Sequence, residues 1–413
     1  MAVTRRGALR GVGALGLMAA APTVLTGGRA SAQDDVPVGS ILDATGPINI
    51  YGLPMIDSTR FAIDDINANG GVLGRPLQLI ELDAQSNNQL YTEYASKLIL
   101  ENEVPVLMGG ITSASREAMR PVVNRYQALY FYNEQYEGGV CDKFVFCTGV
   151  TPAQQLGVLV PWAVENHGQA FYTLAADYNY GHISADWVKV FLDQAGGTEV
   201  GREFIPLDVV DFSSVIQRIE QNRPDVVMSL LVGGNHIAFY RQFAAAGLQN
   251  SIQIVSPTFG LGNEQVVLSP EEAEGIVVIY PYFQELDNPT NRSWVQAWHD
   301  RYGADYTYIT DSACTVWNGW HLWAMAANQA DSLERAAVTE ALESGLTFDS
   351  PEGQIKLDPQ SHHVVHTVHL ARVNDQRGFE IMETFESLEP SDTKEVCDLI
   401  ANPDQHTQFT PKF

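Results

Sequence analysis

The sequence predicts an α/β protein of two doubly wound parallel-sheet lobes, and three observations carry that expectation. The chain has 413 residues, too many for one core at about 150 per domain. Short β-rich runs alternate with amphipathic stretches, the rhythm of parallel strands covered by helices on both faces. That rhythm occurs twice, the second run starting just after residue 150.

Composition narrows the function classes. Apolar residues at 45% and charged residues at 18% describe a folded chain. Twenty-four basic residues against 50 acidic give a net charge of −26. Such a surface repels phosphate backbones and anionic lipid, so neither nucleic acid nor a membrane surface is an expected partner. Four cysteines exclude a disulfide scaffold or a multi-zinc protein.

Taken in order, residues 1–32 read as an export signal. Arg5 and Arg6 precede an apolar run over 11–25, and Ala30-Ser31-Ala32 offers a small-residue cleavage site. The paired arginines with Gly7 and Leu9 resemble a twin-arginine signal. Cleavage would remove Arg5, Arg6, Arg10 and Arg29 but no acid, moving −26 to −30. No later stretch holds about 18 uncharged apolar residues, so no membrane insertion is expected and the product is a soluble periplasmic protein. Strand 36–42 ends in a turn over 43–47. Helix 53–67 carries Met55, Phe61, Ile63 and Ile66 on one stripe and stops at Gly70-Gly71. Strand 76–82, helix 90–100, strand 104–108, helix 116–125 and strands 129–132 and 143–147 complete the first run. The second run comprises helix 153–165, strand 170–175, helix 185–194, strand 200–205, helix 213–221, strand 225–231, helix 237–246 and strand 253–256. After strand 276–280 the rhythm changes to helices 292–302, 309–328 and 333–344, then strands 353–357 and 366–373. Trp317, Trp320 and Trp323 read as core. The tail from Ser387 is polar.

Ligands of open parallel sheets sit beyond the carboxyl ends of the strands. The loops of interest are therefore 43–52, 109–115, 132–137, 176–182, 232–236 and 257–263. They supply Tyr51, Ser113, Tyr132, Glu134, Tyr136, Tyr178, Tyr180, Gly233 and Asn235 as candidate ligand-binding residues. Aromatic walls with a few fixed polar groups suit a small, flat, polar ligand. Ser113 stands at a helix start, where its hydroxyl either meets the ligand or caps the helix. Glu134, if it faces the cleft, needs a donor, preferably a cation, because an unpaired buried carboxylate is costly. Its other reading is a carboxylate turned to solvent.

Nucleophile–base pairs, phosphate loops and Cys-x-x-Cys motifs are missing from the sequence, so neither an enzyme nor a cofactor is expected. His362, His363, His366 and His369 cluster, but 366 and 369 fall on opposite faces of a strand, poor geometry for a metal. They read instead as an exposed edge. An oxidising compartment permits a disulfide. Cys141 and Cys147, set about 20 Å apart along one strand, exceed the roughly 7 Å limit for a bridge. Cys314 falls in a buried helix, which leaves Cys141 with Cys397, or else four free thiols.

The run 66–83 (Ile-Asn-Ala-Asn-Gly-Gly-Val-Leu-Gly-Arg-Pro-Leu-Gln-Leu-Ile-Glu-Leu-Asp), followed by Ser86-Asn87, resembles a segment of branched-chain-amino-acid-type substrate-binding proteins of ABC importers. Pro121-Val-Val-Asn-Arg125, Tyr136-Glu-Gly138, the run 148–155, Asp177-Tyr-x-Tyr180 and Phe348-x-x-Pro-x-Gly-x-Ile355 with His362 or His363 resemble its urea and short-chain-amide branch. The resemblance spans nearly all of 36–385. It implies the type I periplasmic-binding-protein fold, with hinge crossings near Thr151-Pro152, Phe283 and Phe348. Lobe 1 would comprise 36–151 and 284–347, lobe 2 would comprise 152–283 and 348–386, and 387–413 would form a C-terminal tail. It implies that Ser113, Tyr132, Glu134 and Tyr180 hold the ligand. The branch's aromatic residue two before the serine is Ile111 here, its neutral residue at 134 is a glutamate, and its Pro-Arg after Tyr180 is Gly181-His182.

The expected function is a non-enzymatic solute receptor feeding an inner-membrane ABC permease. Its ligand would be a small polar nitrogen compound: an amine or guanidino compound, a short amide or urea. The alternatives are a branched-chain-type amino-acid-binding protein and an exported ligand-sensing receptor of the same fold.

Overall fold

Val36, Val38 and Ile41 are fully buried on both faces of the first strand, as a central parallel strand requires. A computed structural model describes residues 35–412; the export signal expected at 1–32 lies outside them. The first run of elements is β1 (Val36–Leu42), α1 (Asn49–Ala68), β2 (Leu77–Asp83), α2 (Asn88–Leu100), β3 (Leu107–Gly109), α3 (Ser113–Tyr126), β4 (Tyr130–Tyr132), β5 (Val140–Asp142) and β6 (Val145–Cys147). Five of these strands make a parallel sheet in the order β2-β1-β3-β4-β6. This sheet and its helices form the first lobe.

The second run is α4 (Leu156–His167), β7 (Ala170–Ala176), α5 (Asn179–Gln194), β8 (Thr198–Ile205), α6 (Ser213–Asn222), β9 (Val226–Leu230), α7 (Asn235–Ala245), β10 (Gln253–Ser256), α8 (Glu264–Val267), α9 (Pro270–Ala273) and β11 (Val277–Tyr280). Strands β11-β10-β9-β7-β8 are parallel neighbours, the core of the second lobe. Helices α10 (Pro289–Tyr302), α11 (Asp311–Ala330) and α12 (Arg335–Leu342) return to the first lobe, where α11 packs on α1. Strands β12 (Thr347–Ser350), β13 (Gly353–Leu357), β14 (Val364–Val373) and β15 (Phe379–Leu388) then extend the second sheet antiparallel. A tail closes the chain with α13 (Ser391–Lys394) and β16 (His406–Gln408), the latter paired with β5. Among the described residues no helix is long and apolar enough to cross a membrane.

The tryptophans of α11 are core: Trp320 and Trp323 are fully buried, and Trp317 packs against Phe61 and Trp294. Four expectations need correction. Helix α1 begins a turn before the expected 53, because the Ser86 hydroxyl accepts the Ile48 N–H at 3.1 Å and anchors that end. The expected strand over 143–147 shortens to β6 at 145–147, with a separate strand, β5, before it. Asp142 accepts the Phe144 N–H at 3.2 Å and also binds Arg120 and Asn124, so the chain turns there and β5 leaves the sheet for β16. Strands β12 and β15 give no clear sequence signal, since only Ser350 and Phe379 in them are fully covered. Finally, the histidine cluster is not an exposed edge. His362 stacks on Phe146 at 4.1 Å, His366 binds Glu352, and all four rings are buried. Among the described residues no cluster of His, Cys, Asp and Glu could hold a metal.

Candidate functional site

The two sheets direct the carboxyl ends of their parallel strands at a common cleft of about 350 Å³, counted out to its mouth. All six loops after those strands reach it. From the first lobe come Tyr51, then Ile111, Thr112 and Ser113, then Tyr132, Glu134 and Gln135. From the second come Tyr178, Tyr180, Val232, Thr258 and Leu261. Four phenols therefore wall a space with one carboxylate in it, and no lining residue carries a positive charge.

Helix α3 begins at the cleft, capped by Thr112, whose hydroxyl accepts the Ser115 N–H at 3.1 Å. Ser113 is thus not the cap. Its hydroxyl donates to the Glu137 carboxylate, which leaves its oxygen as an acceptor only. Tyr132 donates to the Ile111 carbonyl at 2.7 Å, so its oxygen too can only accept. Behind these two, Arg116 is fully buried: its Nη2 pairs with Glu137 at 2.6 Å and its Nε with Glu117 at 2.9 Å, while Nη1 makes no hydrogen bond. Its guanidinium lies 5.0 Å from the Tyr132 ring centre and stiffens that wall through the ring quadrupole.

Glu134 is 6% exposed and faces the cleft, not solvent. One carboxylate oxygen accepts the Gln135 N–H at 3.0 Å; the other makes no well-formed hydrogen bond, the nearby Ser312 hydroxyl only partly offsetting the cost of its burial. Burial pushes its carboxyl up to about 7. The backbone beneath it is fixed from below. A side chain at Gly149 would bring its Cβ to 2.3 Å from the Glu134 carbonyl carbon, so the connection between lobes presses directly on this loop. Thr148 beside it accepts from Asn133 at 2.9 Å and donates to the Thr315 carbonyl at 2.9 Å.

Tyr51 crosses the cleft. Its hydroxyl accepts the Gly233 N–H of the second lobe at 2.8 Å. Beside it stands Glu264, fully buried, with one oxygen taking the Gly260 and Gly262 amides at 2.7 and 3.1 Å and the other unpartnered. Burial pushes that carboxyl, too, up to about 7, and it in turn helps hold the Tyr51 phenol protonated. Trp187 makes a second crossing, donating to the Glu137 carbonyl at 3.0 Å.

The sequence candidates therefore divide. Tyr51, Ser113, Tyr132, Glu134, Tyr178 and Tyr180 come together on the cleft. Gly233 acts through its N–H on Tyr51. Tyr136 turns away, because His363 captures its hydroxyl and the Val140 N–H donates to the same oxygen at 3.1 Å. Asn235 opens α7, and its side chain lies outside the described residues. Thr258, Leu261 and Glu264 were missed within or just after a loop singled out as a whole; the Gly-Leu-Gly-Asn-Glu run at 260–264, bare backbone ending on an acid, was the available signal. Cys141 and Cys397 form a disulfide with Cα atoms 5.5 Å apart, and Cys147 and Cys314 are buried free thiols.

Relatives share this architecture. The chain is 24% identical over 352 residues to Leu/Ile/Val-binding protein homolog 6 of Brucella melitensis, covering 83% of this chain and 89% of that protein. A solute binding protein of an ABC transporter from Rhodopseudomonas palustris, in complex with 3,4-dihydroxy benzoic acid, superposes with a TM-score of 0.78 at 22% identity, covering 87% of this chain and 99% of that one. A leucine binding protein from Thermotoga maritima gives 0.75 at 19% identity, covering 86% and 99%. A family model described as periplasmic binding protein matches residues 35–378. By sequence family and overall fold, the chain belongs to the periplasmic binding proteins.

Proposed function

We propose that this binding protein, which is not an enzyme, is the periplasmic solute receptor of an ABC importer and hands its ligand to an inner-membrane permease. In this reading 36–151 with 284–347 and 152–283 with 348–386 close on a ligand that donates N–H bonds and carries positive charge: an amine, a guanidino compound or the ammonium of an amino acid. One observation carries it, the buried Glu134 carboxylate whose second oxygen makes no well-formed hydrogen bond. Ser113 and Tyr132 offer further acceptors, and the phenols offer faces to a cation. Urea and short amides can donate to the same groups but leave the carboxylate's charge uncompensated.

A second reading, an amino acid, is favoured by the start of α3. Its first amides suit a carboxylate oxygen while Glu134 holds the ammonium. The leucine binding protein and the Leu/Ile/Val-binding relatives agree with it. The benzoic acid in the R. palustris complex fits less well, because a carboxylate-only ligand would enter a cleft whose lining holds an acid and no base. A sensing receptor would use the same closure, and permease genes beside this one would decide for transport.

The test is calorimetry of one purified protein against ethylammonium, guanidinium, leucine, urea, acetamide and benzoate. Tighter binding of the N–H cations or leucine supports the proposal. Tightest binding of urea or benzoate overturns it.

A further inference from the structure

The family match ends at residue 378, and the remaining chain returns to the cleft rather than trailing away. Beyond β15, it runs as a strap along the junction of the two lobes. Gln154, in the connection between lobes, donates to the Leu388 carbonyl at 2.8 Å, and Thr151 donates to Asp392 at 2.5 Å. Lys394 pairs with Asp358 at 3.1 Å and Glu389 at 2.8 Å, and the Leu399 N–H donates to the Gln360 carbonyl at 2.8 Å. The disulfide from Cys397 then fixes the strap to β5, and β16 runs antiparallel to β5 with Thr407 opposite Cys141.

The docking ground is two glycines. A Cβ on Gly139 would sit 2.0 Å from the Phe409 carbonyl oxygen, and one on Gly138 would sit 2.4 Å from an Asp392 carboxylate oxygen. Their φ angles of +80° and +79° also disfavour any other residue. The glycine pair thus lets the strap lie directly on the chain just after Glu137.

There Gln408 donates to the Glu137 carboxylate at 2.5 Å and to the Gly138 carbonyl at 3.2 Å. Glu137 is fully buried and holds four groups at once. It accepts from the Ser113 hydroxyl, from Arg116, from Gln408 and, at 3.5 Å, from Asn179 of the second lobe. Its carbonyl accepts Trp187, also of the second lobe. The strap therefore supplies one of the donors that orient the carboxylate on which both a cleft wall and an interlobe contact depend.

We propose that residues 389–412 are a working part of the ligand site, with Gln408 a positioning residue that fixes Glu137 and, through it, Ser113 and the Trp187 crossing. Only the last link, from Ser113 to the ligand, rests on the solute-receptor reading of the cleft. The disulfide holds the strap in register, so its loss loosens the same groups.

The test is read without a ligand. Amide hydrogen exchange by mass spectrometry on the full chain tracks peptides covering 111–117 and 136–140, with 198–230 of the distant sheet as control. An indole NMR spectrum, assigned with Trp187→Phe, reads the crossing directly among seven tryptophans. Gln408→Ala, Gln408→Glu and the Cys141→Ser/Cys397→Ser pair should each speed exchange at 111–117 and 136–140 by about tenfold, as expected for losing one hydrogen bond to a charged group. Each should also shift the Trp187 indole signal while 198–230 stays unchanged. Wild-type exchange and an unmoved indole signal in the Gln408 variants overturn the proposal, as does faster exchange spread evenly over the control region. If the disulfide pair fails to fold, the Gln408 variants decide alone. Because no arm uses a ligand, a failed calorimetry screen leaves this result standing.

Discussion

Replacing Glu134 by Gln keeps the size of the side chain and removes its charge. The Glu134 carboxyl sits at about 7, raised from an ordinary 4.5 by burial. Around it stand the Gln135 amide, Ser312, Asp311 and the phenols of Tyr51, Tyr132, Tyr178 and Tyr180, none of them cationic. A raised carboxyl stabilises the fold in its protonated form. That contribution is complete below about 4.5 and is lost as pH rises through about 7, amounting to about 3 kcal/mol across the window. A cationic ligand selects the ionised form, so its affinity should fall about tenfold per pH unit below 7. A charged hydrogen bond contributes about 1.5–3 kcal/mol against about 1 for a neutral one, so Glu134→Gln should weaken cation binding by roughly 2- to 30-fold at pH 8. Glu264 titrates near the same pH, hence wild type alone cannot assign the effect; the difference between wild type and variant can. Calorimetry at pH 5, 6, 7 and 8 on both proteins is the assay. If the variant binds every ammonium compound as wild type does, with the same pH slope, the carboxylate does not select the ligand's charge.

Tyr51→Phe leaves the Gly233 N–H without its acceptor only when the lobes are closed, at about 1–3 kcal/mol; stopped-flow release of whichever ligand binds should quicken by about tenfold. An unchanged off-rate would show that this crossing does not hold closure. Tyr132 is fully buried against Tyr136 and Arg116, so Tyr132→Ala should lower urea-unfolding stability of the empty protein by about 3–5 kcal/mol as well as weaken binding. Glu352→Ala leaves the buried His366 ring nitrogen, 2.6 Å away, without its partner and should cost about 1–3 kcal/mol in the same experiment, with little change in ligand preference.

The fold was legible because parallel sheets write themselves as apolar runs separated by amphipathic helices, and because their ligand loops come at fixed places. That logic reached Tyr51, Tyr132, Glu134, Tyr178 and Tyr180, which stand at or soon after strand ends or, for Tyr51, on the helix following the first strand. It failed where the deciding contact is remote in sequence. Tyr136 lies after the same strand as Glu134, yet His363, 227 residues later, takes its hydroxyl. Ser113 looks like a cap until Glu137 claims it and Thr112 does the capping. Strand β15 buries little and lies at an edge, so its alternation is faint. The histidines look solvent-facing in a polar stretch, but Phe146 and Glu352 are waiting for them.

The pressure of Gly149 on Glu134 matters to anyone refitting this cleft as a sensor for a new compound. The loop that presents residue 134 cannot be re-routed without moving the connection between lobes, since even one methyl group at 149 collides with it. Recognition can therefore be rewritten by exchanging side chains at 134, 178 or 258 while the backbone stays put. A library that also varies 149 would spend most of its members on proteins whose lobes no longer meet.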